Sequence, residues 1–390
     1  MNDGVVIAGG GLAAQRCTET LRSKGYDGPI RVLCGEPHAP YDRPPLSKEM
    51  LSGELPEAAL ELRPGAWYEE KNVDLLLGRS AVRLLPGERR IEYGSGGSLR
   101  YDALVVACGS EARTLPALDG FRNVQALRTL ADARELRAEL RPGCRLAIVG
   151  AGFIGLEVAA TARKLGAEVT LSEAASAPLA AVLGEQLGGW FAQLHRDEGV
   201  EVILSAGVRE ARGRRRVSDL VLADGRTVPC DRVVVGVGVR PATGWLADCG
   251  LDEGGVVVDA EGRSAAPSVF AAGDAARVFV PALARHVRTD HWDAAARQGT
   301  AAARAILGLA PAPEPPPSFW SDQYGVRVQY VGRAEDADRV EIEGDPRARD
   351  FQAELTRAGI PVAVLLVGRP RALPEARRRL MQAMTTTTTR

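Results

Sequence analysis

The chain has 390 residues but few cysteines and histidines, the residues on which metal binding and disulfide chemistry depend. Its cysteines are scattered singly, with no C-x-x-C pair, which excludes usual zinc-site spacings and an adjacent redox dithiol. Histidine is also scarce, with no metal-like grouping, and we predict no metal centre. The residues concerned are Cys17, Cys34, Cys108, Cys144, Cys230, Cys249, His38, His195, His286 and His291.

Long apolar runs and a charge of one sign are missing as well. No apolar run approaches the roughly 20 residues of a membrane span, and the first apolar strand pattern begins at Val5. These features predict no membrane association, no signal peptide and a cytoplasmic location. A formal net charge of -1 gives no global attraction to nucleic acid, so no nucleic-acid partner is expected.

Two glycine-rich segments share one pattern, and each lies between a short apolar run and a helical pattern. In this strand-turn-helix context the first glycine makes a tight turn and the second lets the backbone approach a pyrophosphate. The third small residue lets the helix pack close to the strand. The chain is therefore predicted to bind two dinucleotides. The segments are Gly9-Gly10-Gly11-Leu12-Ala13-Ala14 and Gly150-Ala151-Gly152-Phe153-Ile154-Gly155.

An acidic residue ends the strand that should follow each of these segments. Glu36 and Glu173 lie where such a residue accepts hydrogen bonds from a pair of ribose hydroxyls. No arginine or lysine follows Glu173 through Ala180, so a ribose phosphate would meet a carboxylate and no nearby cation. NADH is therefore favoured over NADPH at the second segment.

The order of elements predicts an α/β fold with two Rossmann-like nucleotide-binding domains and a small α+β C-terminal domain. Strand patterns at residues 103–107, 232–238 and 268–274 and a helix from about Ala294 to Ile306 imply that the first domain is interrupted by the second. The proline-rich residues 311–317 indicate a stiff linker. A helix over Glu375–Met381 should close the chain, followed by a frayed tail. The predicted domains are residues 1–113 with 241–312, residues 114–240, and residues 318–384.

The nine residues Pro40-Tyr41-Asp42-Arg43-Pro44-Pro45-Leu46-Ser47-Lys48 carry a more specific signal. They resemble the flavin-loop signature of the FAD-dependent NADH:ferredoxin reductases that serve cytochromes P450 and ring-hydroxylating dioxygenases. The resemblance runs nearly end to end. It also covers Gly152 to Glu157, Gly236 to Pro241, Ala272 to Asp274, His291-Trp292 and Phe319 to Gln323.

The resemblance implies FAD in the first, split domain and NADH in the middle domain. It assigns FAD to Gly9, Gly11, Leu12, Ala13, Ala14, Glu36, Arg43, Lys48, Ala107, Arg113, Asp274, His291, Trp292 and Trp320. It assigns NADH to Gly150, Gly152, Phe153, Ile154, Gly155, Glu157, Glu173 and Gly238.

Lys48 and Glu157 are the residues to which the resemblance gives catalytic roles. Lysine is rare here, with four lysines among the 49 basic residues, so a lysine at this place suggests that a compact ammonium is needed. In the family the matching lysine lies beside the flavin ring and pairs with the glutamate that matches Glu157. Lys48 is expected to stabilise charge on the reduced ring. Glu157 is expected to neutralise that lysine beforehand and to orient the nicotinamide.

The implied activity is hydride transfer from NADH to FAD, followed by single-electron transfer to a small acidic [2Fe-2S] ferredoxin that feeds a P450 or Rieske-type oxygenase. Three alternatives stay open: an NADH oxidase or disulfide reductase of the same superfamily, a rubredoxin reductase, and an NADH-sensing interaction flavoprotein resembling apoptosis-inducing factor. The chain is expected to be a monomer or a weak homodimer. Candidate docking cations are Arg377, Arg378, Arg379, Arg212, Arg214, Arg215 and Arg216.

Three positions depart from the family pattern. Cys108 stands where threonine is usual, Ala294 where asparagine is common, and Gly368 where an asparagine precedes Arg-Pro. They leave flavin affinity and redox potential open.

Overall fold

The structure, a computed structural model, describes residues 3–94, 96–313, 315–335 and 337–388. Among these residues no helix combines the length and the apolar character that crossing a bilayer requires. They contain strands β1 to β26 and helices α1 to α8, together with short 3-10 turns.

The strands are Val5–Ala8 (β1), Ile30–Cys34 (β2), Val73–Leu77 (β3), Ala81–Leu85 (β4), Arg90–Tyr93 (β5), Gly97–Arg100 (β6), Ala103–Val106 (β7), Ser110–Ala112 (β8), Val124–Gln125 (β9), Arg145–Val149 (β10), Glu168–Ser172 (β11), Glu201–Ile203 (β12), Val208–Gly213 (β13), Val217–Leu222 (β14), Thr227–Pro229 (β15), Arg232–Val235 (β16), Val239–Pro241 (β17), Val256–Val258 (β18), Val269–Ala271 (β19), Ala276–Val280 (β20), Arg285–Val287 (β21), Ser318–Gln323 (β22), Val326–Gly332 (β23), Arg339–Asp345 (β24), Asp350–Arg357 (β25) and Ile360–Val367 (β26). The helices are Leu12–Ser23 (α1), Glu49–Ser52 (α2), Gly65–Glu70 (α3), Leu130–Glu139 (α4), Phe153–Lys164 (α5), Ala180–Asp197 (α6), Trp292–Ile306 (α7) and Leu373–Thr388 (α8).

The chain forms two compact units. The first comprises the described parts of Met1–Asp42, Ala58–Glu111 and Arg240–Pro315, and the second those of Arg43–Glu57, Ala112–Val239 and Pro316–Arg390. The segment Arg43–Glu57 therefore belongs to the second unit, whereas the sequence analysis includes it in the first domain. The three-domain boundaries given above stay a prediction.

The first unit is built on a parallel sheet in the order β19-β7-β1-β2-β3. Strands β1 and β7 are buried throughout, as expected for parallel strands that are covered on both faces. Helices α1 and α7 pack closely because Gly299 has no side chain: a Cβ there would lie 2.2 Å from the carbonyl oxygen of Ala13. Two three-stranded sheets, β4-β5-β6 and β18-β20-β21, complete the unit.

The second unit contains a parallel sheet in the order β12-β11-β10-β16-β9 and a three-stranded sheet, β13-β14-β15. It also contains an antiparallel sheet in the order β22-β23-β26-β25-β24, with α8 packed against it. The two parallel sheets confirm the predicted α/β fold with two Rossmann-like nucleotide-binding parts and a small α+β part at the C-terminus.

The structure corrects three details of the predicted secondary structure. Helix α7 begins at Trp292 rather than near Ala294, with His291 as its N-cap residue. Helix α8 covers Leu373–Thr388, longer at both ends than predicted, so the predicted frayed tail is wrong over the described residues. Thr389 and Arg390 lie outside the described residues, as does Glu314 in the predicted linker.

Candidate functional site

The first glycine turn, between β1 and α1, has the geometry of a diphosphate cradle. Gly9 has φ +139°, and a Cβ on it would lie 2.0 Å from the Ala107 carbonyl oxygen, so this position accepts only glycine. Gly11 caps α1 in an extended conformation, and apart from Gly11 and its two chain neighbours no atom of the described residues lies within 4 Å of where its Cβ would be. This open space lies at a helix N-terminus, which favours an anion. The turn therefore fits the diphosphate of FAD.

Two polar residues that the resemblance assigns to FAD, Glu36 and Asp274, lie in the first unit. Glu36 follows β2 and accepts a hydrogen bond from the Tyr41 hydroxyl at 2.8 Å. Asp274 follows β19 in a short turn, and its Oδ2 accepts from the Ser110 hydroxyl at 2.7 Å. Ser110 is a residue that the sequence analysis missed, because a serine shortly after a buried strand is common in any fold.

His291 and Trp292, at the start of α7, are connected to the predicted flavin loop by a hydrogen bond. The Trp292 indole N–H donates to Asp42 Oδ1 at 2.7 Å. On the same helix, Gln298 accepts a hydrogen bond from the Gly273 amide at 2.8 Å, which fixes the turn that carries Asp274. These hydrogen bonds fix Trp292 and the turn that carries Asp274, and the roles of both residues toward FAD stay predictions.

The second glycine turn, between β10 and α5, repeats this design. Gly150 has φ +101° and Gly155 would carry a Cβ 2.2 Å from the Gly150 carbonyl oxygen, so both positions need glycine for packing. Gly152 caps α5 in an extended conformation, and the nearest atom to its Cβ position is the Gly236 oxygen at 3.8 Å. The predicted acidic residue, Glu173, accepts hydrogen bonds from the Ala151 and Ala175 amides at 2.6 and 2.9 Å. The turn therefore fits a second dinucleotide.

Other predicted cofactor residues lie in the second unit. Arg113, assigned to FAD, donates its backbone N–H to the carbonyl of Gly238, which is assigned to NADH. Arg43 donates to the Arg128 carbonyl at 2.5 Å. The Phe153 ring packs against Phe319 with centroids 4.5 Å apart, next to Trp320 on β22. Ile154 is 42% exposed. The structure thus places Arg113 beside a predicted NADH residue, a juxtaposition that the sequence analysis does not anticipate.

The structure brings Lys48 and Glu157 together as a buried ion pair. The Lys48 ammonium lies 3.0 Å from Glu157 Oε2, and the side chains are 9% and 5% exposed. The same oxygen accepts from the Ser47 hydroxyl at 2.5 Å, and Glu157 Oε1 accepts from the Ser321 hydroxyl at 2.7 Å. Glu157 is therefore a buried carboxylate with three charge-assisted hydrogen bonds, which offset the cost of removing it from water. Ser47 and Ser321 were not predicted as site residues.

Two further buried polar residues, Gln323 and His195, extend the hydrogen bonds from Ser321 in the same unit. His195, in α6, is fully buried, and its Nε2 lies 3.0 Å from Gln323 Oε1. Burial lowers the pKa of His195 to about 4, so the imidazole is neutral at pH 7. A histidine inside a helix gives no periodic signal, so sequence reasoning could not separate it from an ordinary core residue.

This histidine predicts a pH dependence of stability. In the unfolded chain it binds a proton near pH 6.5, whereas in the folded protein it does so only near pH 4. The unfolded state therefore binds more protons in this window, and stability falls as the pH falls from about 6.5 to 4, by about 3 kcal/mol at most. The free energy of unfolding is measured with urea at several pH values for wild type and His195→Gln. It should fall more steeply with falling pH in wild type than in the variant. Parallel stability curves for the two proteins would contradict it.

The six cysteines are free thiols. Burial raises the pKa of Cys17 and Cys34 to about 12 and that of Cys108 to about 11, so none of these three is a thiolate at neutral pH. The Cys108 thiol donates to the Ala242 carbonyl at 3.2 Å. This departure from the family pattern is therefore a structural thiol. Gly368 has φ +68°, and a Cβ there would lie 2.5 Å from the Arg349 carbonyl oxygen, so this position requires glycine in this chain.

Comparison with known proteins decides the family. Residues 3–299 match the pyridine nucleotide-disulphide oxidoreductase family, and residues 318–390 match the reductase C-terminal family. The chain belongs to the pyridine nucleotide-disulphide oxidoreductases. Membership agrees with the two glycine cradles and makes FAD and NAD(H) its cofactors.

Individual relatives extend this result over most of the chain. The ferredoxin–NAD(+) reductase component of the anthranilate 1,2-dioxygenase system of Burkholderia cepacia is 38% identical, covering 96% of this chain and 93% of its own length. The corresponding component of the biphenyl dioxygenase system of Paraburkholderia xenovorans is 39% identical, with 89% and 85% covered. The structure of putidaredoxin reductase in covalent complex with putidaredoxin matches with a TM-score of 0.95 and 32% identity, covering 98% and 94% of the two chains.

Within the described residues, no group of three or more histidine, cysteine, aspartate or glutamate side chains is arranged to hold a metal ion.

Proposed function

We propose that the chain is an FAD-dependent NADH:ferredoxin oxidoreductase. Its acceptor would be a small acidic [2Fe-2S] ferredoxin that supplies a P450 or Rieske-type oxygenase. When bound, FAD accepts a hydride and gives up the two electrons singly, a conversion that no side chain supplies. The observation that carries the proposal is the presence of two open dinucleotide cradles in a chain whose six cysteines are scattered singly, with no C-x-x-C pair. Electrons from NADH then need an external carrier rather than an internal disulfide.

The residues of the chain would bind the two nucleotides, orient them and balance the charge beside the flavin. The turns at Gly11 and Gly152 would hold the two diphosphates, and Glu36 and Glu173 the adenosine riboses. Lys48 would keep a positive charge at the flavin ring. Glu157, held by three donors, balances that charge until the ring is reduced. The remaining cofactor assignments given above are part of this proposal.

The test is reduction of a panel of ferredoxins by the purified, FAD-loaded protein. We expect reduction of [2Fe-2S] ferredoxins with NADH and much slower reduction with NADPH. Rubredoxin serves as the control acceptor, since a rubredoxin reductase differs only in its partner. Ferredoxin that stays oxidised while NADH is consumed and hydrogen peroxide accumulates would favour the NADH oxidase instead.

Glu173 should set the choice of nicotinamide nucleotide. Its carboxylate faces the second glycine turn and would repel the additional phosphate of NADPH. The variant Glu173→Ser is expected to lower kcat/KM for NADH and to raise kcat/KM for NADPH. The ratio of the NADH value to the NADPH value should fall by about tenfold or more, because a factor of ten corresponds to only about 1.4 kcal/mol. The ratio is measured by steady-state kinetics with both nucleotides. An unchanged ratio would show that Glu173 does not contact the ribose.

Electrostatic docking of the ferredoxin should make electron transfer sensitive to salt. In the C-terminal arginine cluster, Arg378 pairs with Glu375 and Arg379 with Glu354, which leaves little net charge there. In the middle cluster Arg214 and Arg215 are exposed. We therefore expect the double variant Arg214→Glu with Arg215→Glu to slow reduction of limiting ferredoxin more than Arg378→Glu does.

Both effects should shrink at ionic strengths where the screening length falls to a few ångströms, about 3 Å at 1 M. The measurement is the second-order rate constant for ferredoxin reduction, determined for wild type and both variants at several salt concentrations. A rate independent of ionic strength would exclude steering by either cluster.

We also propose a cytoplasmic location and a monomer or weak homodimer. The six free thiols suit a reducing compartment, which supports the location. Sedimentation of the purified protein at several concentrations tests the oligomeric state.

A further inference from the structure

The Lys48–Glu157 pair lies at one end of a buried line of hydrogen bonds. Glu157 Oε1 accepts from Ser321 Oγ at 2.7 Å, and Ser321 Oγ accepts from Gln323 Nε2 at 3.0 Å. Gln323 Oε1 lies 3.0 Å from His195 Nε2, and His195 Nδ1 lies 2.8 Å from the Tyr324 hydroxyl. The four residues from Glu157 to His195 are between 0% and 4% exposed. The line joins α5, β22 and α6 within the second unit.

The chemistry of Glu157 fixes the direction of every hydrogen in this line. A carboxylate only accepts, so the Ser321 hydroxyl donates to Glu157 and its own lone pair must face a donor, the Gln323 amino group. The Gln323 carbonyl oxygen then faces His195, whose Nε2 must carry the hydrogen. The other ring nitrogen is left as an acceptor for the Tyr324 hydroxyl, and burial, which lowers the pKa of His195 to about 4, keeps this neutral tautomer at pH 7.

The backbone at Tyr324 gives an independent indication that its hydroxyl matters. Tyr324 and Gly325 form the two-residue turn between β22 and β23, with φ +52° and +75°. Both central positions of such a turn favour glycine, asparagine or aspartate, and a bulky residue there is strained. An aromatic side chain is nevertheless present at this strained position, and its hydroxyl is the one that meets His195.

We propose that Ser321, Gln323, His195 and Tyr324 are positioning residues that hold Glu157 as an oriented carboxylate and thereby set how far Lys48 is neutralised. Every donor in the line points toward Glu157, so the dipoles add at its oxygens. The amide of Gln323 interrupts any direct passage of protons, so the line orients charge and does not conduct protons. This inference rests on the proposed function, because its effect is read at the flavin that Lys48 would face.

Lys48 and Tyr324, at the two ends of the line, border one cavity. Its other charged lining residues are Glu49, Glu54, Arg163, Lys164, Glu198 and Asp322. Lys48 lies at the inner end of the line. At the outer end Glu198 lies near both His195 and Tyr324, and Arg163 and Arg349 lie near Tyr324. Glu198 is itself paired with Arg349 at 2.6 Å. Glu54 is paired with Lys164 and Asp322 with Arg327, which leaves Glu49 and Arg163 with opposite charges. The net charge near the line is therefore small, and the orientation of the line depends on its own hydrogen bonds.

A matched pair of variants at His195 tests the proposal. The side-chain amide of glutamine reaches the position of the imidazole Nε2, and that of asparagine the position of Nδ1. His195→Gln therefore keeps a donor to Gln323, whereas His195→Asn removes it. The two readouts are the flavin midpoint potential and the pH profile of flavin reduction by NADH. Trp190→Phe, which removes a hydrogen bond from the same helix to Pro346, is the control.

We expect His195→Asn to move the midpoint potential to more positive values, because Glu157 then neutralises Lys48 less completely. It should also move the acidic limb of the pH profile upward by at most about one unit, because the hydrogen bond that is lost joins two neutral groups and acts on Glu157 only through Ser321. His195→Gln and Trp190→Phe should keep both values close to wild type.

Native values in His195→Asn, or equal shifts in His195→Gln, would overturn the proposal. If His195→Asn does not fold, Tyr324→Phe replaces it, with a smaller shift expected in the same direction and native values again overturning the proposal. Failure of the proposed function is distinct, since wild type itself would then not reduce ferredoxin with NADH.

Discussion

Glu157→Leu is expected to slow flavin reduction by NADH by about a hundredfold and to lower the free energy of unfolding by about 3 to 5 kcal/mol. The cause is the same for both effects. The Lys48 ammonium, 9% exposed and 3.0 Å from the Glu157 carboxylate, would be left as a buried, unbalanced charge. Rapid mixing with NADH gives the rate, and urea unfolding gives the stability.

A double-mutant cycle separates the two effects. Removing both charges with Lys48→Met and Glu157→Leu should recover most of the stability, because an apolar pair replaces a buried ion pair at little cost. It should not recover the rate, because the proposed charge at the flavin is then gone. The exposed pair of Lys164 with Glu54 is the control: Lys164→Met should change stability by less than about 1 kcal/mol and leave the rate unchanged. Recovery of the rate in the double variant would contradict the catalytic role of the pair.

Gly11→Val is expected to give a folded protein that does not retain FAD. Gly11 has φ -106°, which any residue adopts, and apart from Gly11 and its two chain neighbours no atom of the described residues lies near its Cβ position, so the fold tolerates the change. The new side chain would occupy the space that the diphosphate needs, at a cost of about a hundredfold or more in affinity. The flavin absorbance of the purified protein and its circular dichroism are the measurements.

Two other glycines provide the comparison for this experiment. Gly152→Val should leave FAD bound but abolish reduction by NADH, since Gly152 has an equally permissive backbone in the second turn. Gly9→Val should destabilise the fold itself, because its φ of +139° and the Ala107 carbonyl exclude any side chain. Retention of FAD by Gly11→Val at the wild-type level would show that the first turn does not bind the flavin.

Much of the site is visible in the sequence because local rules determine it. A buried apolar strand, a turn with a glycine at positive φ and a helix packed on that strand are specified within about fifteen residues, as in β1 to α1 and β10 to α5. The acidic residues Glu36 and Glu173 follow from the same unit. The pairing of Lys48 with Glu157 spans more than a hundred residues and came only from the family resemblance.

The remainder depends on contacts that no local pattern encodes. Strand β24 is exposed along nearly its whole length, so it lacks the alternation that identifies a strand, and it forms only because β25 pairs with it. The segment Arg43–Glu57 packs with the second unit because Ser47 forms hydrogen bonds with Glu157 and Thr161, which are distant in the sequence. His195 is one buried polar residue in an apolar helix face, and only the structure connects it to Gln323.

Electrons from NADH are proposed to leave this protein singly, to an iron-sulfur carrier. The most direct test is an anaerobic titration of the FAD-loaded protein and excess [2Fe-2S] ferredoxin with NADH, following ferredoxin by its electron paramagnetic resonance signal. We expect each NADH oxidised to appear as two reduced ferredoxins. Oxidation of NADH with no growth of the ferredoxin signal would contradict single-electron transfer to the ferredoxin.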